Sequence, residues 1–179
     1  MNIRSSFSNI LSSSTSCCFR RSLPKYIETP DPLVASEEKT DIPTWENTQP
    51  FVPPISEGYV IKVYDGDTIT VASKLPFVES PMYRFQVRLN GIDCPEIKSK
   101  NEMEKIVSKI AQETVSKLIL GKIVRLENVQ MEKYGRLLAE VYIGNLNVNR
   151  HLLENRLAVS YDGGTKVSPK DWMEYYTKG

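Results

Sequence analysis

Two hydrophobic periods divide the chain from Gly58 onward. Tyr59, Ile61 and Val63 alternate with Val60, Lys62 and Tyr64, a period of two that predicts a strand. Asp65-Gly66-Asp67-Thr68 interrupts the alternation, and Ile69 with Val71 resumes it, so the pair predicts a hairpin closed at an Asp-Gly turn. A third strand carries Tyr83, Phe85, Val87 and Leu89 on one face and Arg84, Gln86 and Arg88 on the other. After Pro95 the period lengthens. Met103, Ile106, Val107, Ile110, Ala111, Val115 and Leu118 mark one helical face, with Ser99 and Glu102 at capping-box spacing and Gly121 as the stop. Residues 123–129 and 137–143 read as two more strands, and Gly144-Asn145 as the turn beyond them. Asn147 caps a second helix over 148–156, and Ser168-Pro169 opens a short last one through Trp172 to Tyr176.

About five short strands, one helix after the third and others at the end predict an α+β, mainly β fold. The expected form is a five-stranded Greek-key barrel of the OB type with about three packed helices; an open α+β sandwich satisfies the same count.

The segment before Gly58 follows neither period. Seven of the eleven prolines fall between Pro24 and Pro54, among Glu37, Glu38, Asp41 and Glu46, which reads as an extended linker. The division is therefore a tail over 1–56 and a folded domain over 57–179. Residues 1–23 hold eight serines, Arg4, Arg20 and Arg21, with no acidic residue before Glu28. That composition is transit-peptide-like, while adjacent Cys17 and Cys18 beside two arginines suit acylation; a tail without an address is the plain alternative. With Asn2 after Met1 no myristoylation is expected, and residues 7–11 are too short an apolar run for a secretory signal to be expected. An intracellular location is expected.

Composition narrows the function. A length of 179 residues suits one ordinary domain plus a tail, and a net charge of +1 excludes coating nucleic acid through bulk charge. A hydrolase needs local charge at one phosphate, so that class survives. No apolar run reaches the roughly 18–20 residues of a membrane span. Three cysteines, two of them adjacent, give neither a disulfide framework nor zinc spacing, and Cys94 reads as a free thiol. His151 is the sole histidine, which removes two-histidine ribonuclease chemistry and His-rich metal clusters.

Four pieces remain that carry chemistry: Asp65-Gly66-Asp67 at the hairpin tip, Arg88 on a polar strand face, Asp93 and Glu96 around Cys94-Pro95, and Lys133-Tyr134-Gly135-Arg136 in a tight connection. Singly each is ordinary: a turn dipeptide, a solvated arginine, acidic residues ahead of a helix, a charged turn. Jointly they supply hard oxygen ligands for Ca²⁺ or Mg²⁺, a carboxylate to polarise water, and two forked donors for a phosphate. Phosphodiester hydrolysis needs that set and no histidine.

VYDGDTITV, VRLNGIDCPEIK and EKYGRLLAEVYIGNLNVNRHLLENRLAV, in this order and spacing, resemble the staphylococcal nuclease (thermonuclease) family over about residues 58–166. The resemblance implies an OB-type barrel and a Ca²⁺-dependent endonuclease on DNA and/or RNA. It implies 5′ P–O cleavage leaving 3′-phosphates, with single strands preferred; a monomer is expected. It further implies Asp67, Asp93 and the Cys94 backbone carbonyl as metal ligands, with Asp65 in the outer shell. Glu96 corresponds to the residue that directs water, Arg88 and Arg136 to the phosphate-binding arginines, and Tyr134 and Tyr161 to tyrosines near the nucleotide. Cys94 stands where many relatives have threonine, and the chain after Lys166 is shorter than in the secreted bacterial enzymes. A non-catalytic module binding nucleic acid or a protein partner is the alternative that the family's degenerate copies imply; here every key position is filled.

Overall fold

A computed structural model describes residues 42–178, and all its regular elements lie within one body, Pro43–Gly179. The readings at Cys17, Cys18 and the rest of the first 41 residues lie outside the described part. Chain order runs β1 (Glu57–Val63), β2 (Thr68–Ser73), β3 (Tyr83–Leu89), β4 (Ile92–Asp93), α1 (Glu102–Ile119) and β5 (Ile123–Met131). It continues with β6 (Leu137–Ile143), β7 (Leu146–Asn147), α2 (Val148–Glu154), β8 (Val159–Ser160) and α3 (Trp172–Thr177). The five long strands lie in the order β3-β2-β1-β5-β6, antiparallel throughout, and a parallel pairing of β3 with β6 through Val87↔Leu137 closes them into a barrel. Closure leaves neither strand a free long edge, the liability of an open sheet. The expected five-stranded OB barrel with three helices is the observed fold, and the open sandwich is not.

Alternation along β1 does not survive intact. Val60 and Val63 are both buried while Ile61 is exposed, because a bulge between Val60 and Lys62 against β2 inserts one residue and switches the inward face. A uniform period of two put Ile61 beside Val63; the bulge turns Ile61 outward.

Helix α1 starts later than Ser99 suggests. Asn101 is its N-cap, its Oδ1 accepting from the Met103 and Glu104 amides at 2.9 and 3.4 Å. Its inward stripe is Val107, Ser108, Ala111, Val115 and Ile119, whereas Met103 and Ile106 face solvent. The buried line keeps a spacing of four because the helix lies along the barrel wall, so the wider apolar arc of the sequence is only half used. Gly121, at φ +73°, follows the Leu120 cap as expected. Asn147 caps α2 by accepting from the Arg150 amide, but the helix stops at Glu154 and Arg156 takes φ +54°. Helix α3 opens at Asp171 rather than Ser168, and its Trp172 packs into the core. Strand β5 runs two residues past the expected end, with Asn128 at φ +54° in an irregular step of its pairing with β6.

The chain joins the barrel just before β1, where Pro53 and Ile55 are buried and the Leu126 amide donates to the Ser56 carbonyl. Among the described residues no helix is long and apolar enough to cross a membrane.

Candidate active site

Asp65 and Asp67 reach their positions through the turn between β1 and β2, where the Tyr64 amide donates to the Thr68 carbonyl at 2.9 Å. Helix α1 holds that turn from outside: Gln112 Nε2 donates to the Tyr64 carbonyl at 2.7 Å. Gly66 does not supply a left-handed backbone here; it supplies space. A Cβ on it would stand 2.8 Å from Cys94 Sγ and 2.9 Å from the Ala111 Cβ. The Asp-Gly signal therefore located the turn correctly for a different physical reason. Gly66→Ala is expected to destabilise the fold by about 1–3 kcal/mol through overpacking, read as a lower urea midpoint at unchanged slope.

Arg88, in the register position opposite Thr68, points from β3 to the same end of the barrel. Its Nη1 donates to Asp67 Oδ1 and its Nη2 to Asp93 Oδ1, both at 2.8 Å, so one guanidinium spans both aspartates. Asp93 is placed by β4, which pairs with β8 through Asp93↔Val159. The Asp67 carboxylate also accepts from Thr68 Oγ1 at 2.9 Å and from the Cys94 amide at 3.1 Å, tying the Cys94 backbone to the hairpin turn. The Cys94 side chain itself is in the hydrophobic core against Gly66. Burial, then the charge of Asp67, pushes its thiol well above the usual range, so it stays protonated and offers neither a thiolate ligand nor a nucleophile.

Both aspartates are 3% exposed. Burial raises Asp67 to about 6, against the opposing pull of Arg88 and with a further push from Asp65. Burial also disfavours the Arg88 charge, but Asp67 and Asp93 outweigh it and the guanidinium is held more firmly protonated than usual.

Glu96 lies beyond Pro95 with its side chain 64% exposed. Its backbone amide donates to Glu104 Oε1 at 3.0 Å, while Ser99 Oγ donates to Glu104 Oε2 at 2.6 Å, so the first turn of α1 fixes the loop that carries it. Arg136 follows Gly135, whose φ of +81° makes the tight turn between β5 and β6. Its Nε and Nη2 donate to the two oxygens of Glu132 at 2.7 and 3.0 Å, a forked pair. Tyr161 carries its ring 5.9 Å from the Arg88 guanidinium carbon, and Tyr134 is 73% exposed beside Lys133.

All nine residues singled out from sequence, Asp65, Asp67, Arg88, Asp93, Cys94, Glu96, Tyr134, Arg136 and Tyr161, line one cleft of about 360 Å³. The cleft adds two charged residues that sequence reasoning passed over, Glu132 and Lys166. Glu132 had a signal, an acid four residues before the arginine it pairs with; Lys166 had none beyond its place in a Gly-Gly loop. Glu104 and Gln112, which position the loops from outside, resembled ordinary helix-surface residues.

Five carboxylates, Asp65, Asp67, Asp93, Glu96 and Glu132, face three cationic side chains, Arg88, Arg136 and Lys166, across this cleft. The two negative charges left over suit one divalent cation, and the oxygen donors suit a hard one. Among the described residues no three His, Cys, Asp or Glu side chains form a ready metal cage. A cation held by Asp67 and Asp93 would therefore complete its shell from backbone carbonyl, water and substrate oxygens.

Barrel and cleft together define a class: a small OB-type barrel that gathers carboxylates and arginines at one pole. The chain belongs to the Staphylococcal nuclease homologue family, whose profile matches residues 86–177, just over half its length. Among curated proteins it is similar to an uncharacterized endonuclease of Escherichia coli, 31% identical over 106 residues (59% of this chain and 61% of the relative). It is also similar to the thermonuclease of Staphylococcus intermedius, 34% identical over 105 residues, covering 57% and 58% of the two chains. An uncharacterized endonuclease of Haemophilus influenzae is 34% identical over 102 residues, 57% of this chain and 51% of the relative. The chain thus spans about half to three-fifths of the length of these relatives.

Proposed function

We propose that this chain is a Ca²⁺-dependent endonuclease that hydrolyses phosphodiester bonds of DNA and/or RNA. The observation that carries the proposal is the convergence of Asp67, Asp93, Glu96, Arg88 and Arg136 on one cleft from separate loops and strands. The names of the relatives, endonucleases and a thermonuclease, support the same reaction class.

In this reading Asp67 and Asp93, with the Cys94 carbonyl, would hold the cation, and Asp65 would act in its outer shell. Bound there, the cation supplies Lewis-acid polarisation of a phosphate oxygen and lowers the pKa of water. Glu96, with its side chain 64% exposed and its backbone fixed by Glu104, accepts or orients the proton of the attacking water. Arg88 and Arg136 stabilise charge gathering on the phosphate as water attacks phosphorus and the P–O5′ bond breaks; the departing O5′ takes a proton from solvent, leaving a 3′-phosphate and a 5′-hydroxyl. Each arginine already carries a carboxylate partner, so substrate binding exchanges Glu132 for phosphate at Arg136. Tyr134 and Tyr161 offer rings to unstacked bases, which favours single strands.

Cleavage of matched DNA and RNA oligonucleotides, compared in Ca²⁺, Mg²⁺ and EDTA, tests this. Calcium-dependent cuts with 3′-phosphate ends are expected, and EDTA is expected to reduce the rate at least about 10³-fold. Full-rate cleavage in EDTA would exclude the metal mechanism; tight binding without cleavage would favour the non-catalytic module.

A further inference from the structure

Lys166 lies in the Asp162-Gly163-Gly164-Thr165 loop that follows β8, and its Nζ stands 3.0 Å from Asp93 Oδ1 and 3.0 Å from Glu96 Oε1. The bridge is built, because both ends of the loop geometry are held. Strand β8 pairs with β4, which carries Asp93, and the Tyr161 amide donates to the Gly91 carbonyl at 3.0 Å. Gly163, at φ +89°, turns the chain, and Tyr161 Oη donates to the Gly164 carbonyl at 3.2 Å. The same β8 pairing thereby fixes the aspartate and the root of the loop whose lysine meets it. Lys166 remains 45% exposed along its side chain, so its ammonium has solvent to move into.

We propose that Lys166 is a built-in cation of the cleft that changes places with the divalent ion. This rests on the calcium reading above and goes beyond it. Without a divalent ion, the ammonium shares Asp93 Oδ1 with the Arg88 guanidinium and holds Glu96 over the cleft. A divalent ion on Asp93 repels an ammonium at 3 Å, so Lys166 leaves that oxygen and keeps Glu96 alone, or turns to the incoming phosphate. Lys166 is thus a positioning residue for Glu96 and a determinant of cation affinity. The three cationic side chains of the cleft then differ in kind: Arg88 and Arg136 are forks, while Lys166 is a flexible point charge.

The experiment is calorimetric Ca²⁺ titration of the full chain and its Lys166→Met and Lys166→Arg variants, pH 7.5 and low salt. Loop exposure of Lys166 leaves the fold intact in all three. Lys166→Met is expected to bind Ca²⁺ about tenfold more tightly, while Lys166→Arg stays near the parent. Equal or weaker calcium binding by Lys166→Met overturns the exchange with the calcium reading left standing. No calcium binding by any of the three overturns both. A second readout needs no metal. In EDTA, the thermal shifts of Lys166→Met and Glu96→Gln are expected to be non-additive, the double variant losing less than the sum. Additivity overturns the bridge itself.

Discussion

Arg136→Lys lowers turnover on denatured DNA by about 10²–10³-fold and leaves the melting temperature nearly unchanged. The two halves of that expectation come from different contacts. Arg136 is anchored by the Gly135 turn and, among the described residues, pairs with Glu132, four residues away on a partly exposed surface, a bond worth about 1 kcal/mol or less. Lysine keeps the charge and most of that pair. It loses the planar fork, which matches two phosphate oxygens as their charge grows in the transition state. The loss therefore falls on kcat, and on kcat/KM to the same degree, with KM little moved. Steady-state kinetics on a single-stranded substrate, with a thermal melt of the same sample, checks both halves. Unchanged turnover would move the chain to the binding-module reading, since a degenerate copy has no use for the fork.

Asp67→Asn is expected to do two opposite things: stabilise the metal-free protein near neutral pH and weaken calcium binding at least about tenfold. Asp67 is buried, and its folded pKa of about 6 lies above the ordinary carboxylate value of 3.8. For an acid raised in this way, the neutral form is the one the fold prefers. Its contribution is fully present below pH 3.8 and is lost as pH rises through about 6, a change of about 3 kcal/mol by linkage. The amide stays neutral, so the variant escapes the loss. Its NH₂ group facing Arg88 gives part of this back, which leaves a net gain of about 1–2 kcal/mol at pH 7. Urea unfolding in EDTA at pH 4 and pH 7 measures it: the parent weakens between the two, and the variant weakens less. Equal pH dependence in both would show that burial does not govern Asp67. An aspartate kept at a cost to the fold is consistent with a cation-binding task, because a bound divalent ion offsets the burial penalty.

Legibility followed the range of the forces involved. Alternation and helical period depend on neighbours two to four residues away, so the five strands, three helices and closing glycines were readable from the chain. Where a long-range contact intervened, the reading slipped. The bulge at Ile61 is set by pairing with β2, and α1 and α3 start late, at the Asn101 and Asp171 caps. The site residues were legible as residue types at family spacing, and all of them do meet in one cleft. Their state was not. Nothing in VRLNGIDCPEIK says that Arg88 spans Asp67 and Asp93, or that the Cys94 thiol turns into the core beneath Gly66.

By itself, then, the sequence determined which chemistry is present: hard oxygen donors, two forked cations, no zinc or disulfide spacing among three cysteines, and a single histidine. Residue type is a local property and needs no fold to read. Only the tertiary structure decided the pairing of those charges. Asp67 and Arg88 are 21 positions apart, and Lys166 comes to Glu96 across 70, because barrel closure and the β4–β8 pairing bring distant loops to one pole. Charge pairing depends on separation in space, and at these sequence distances only the closed barrel sets it.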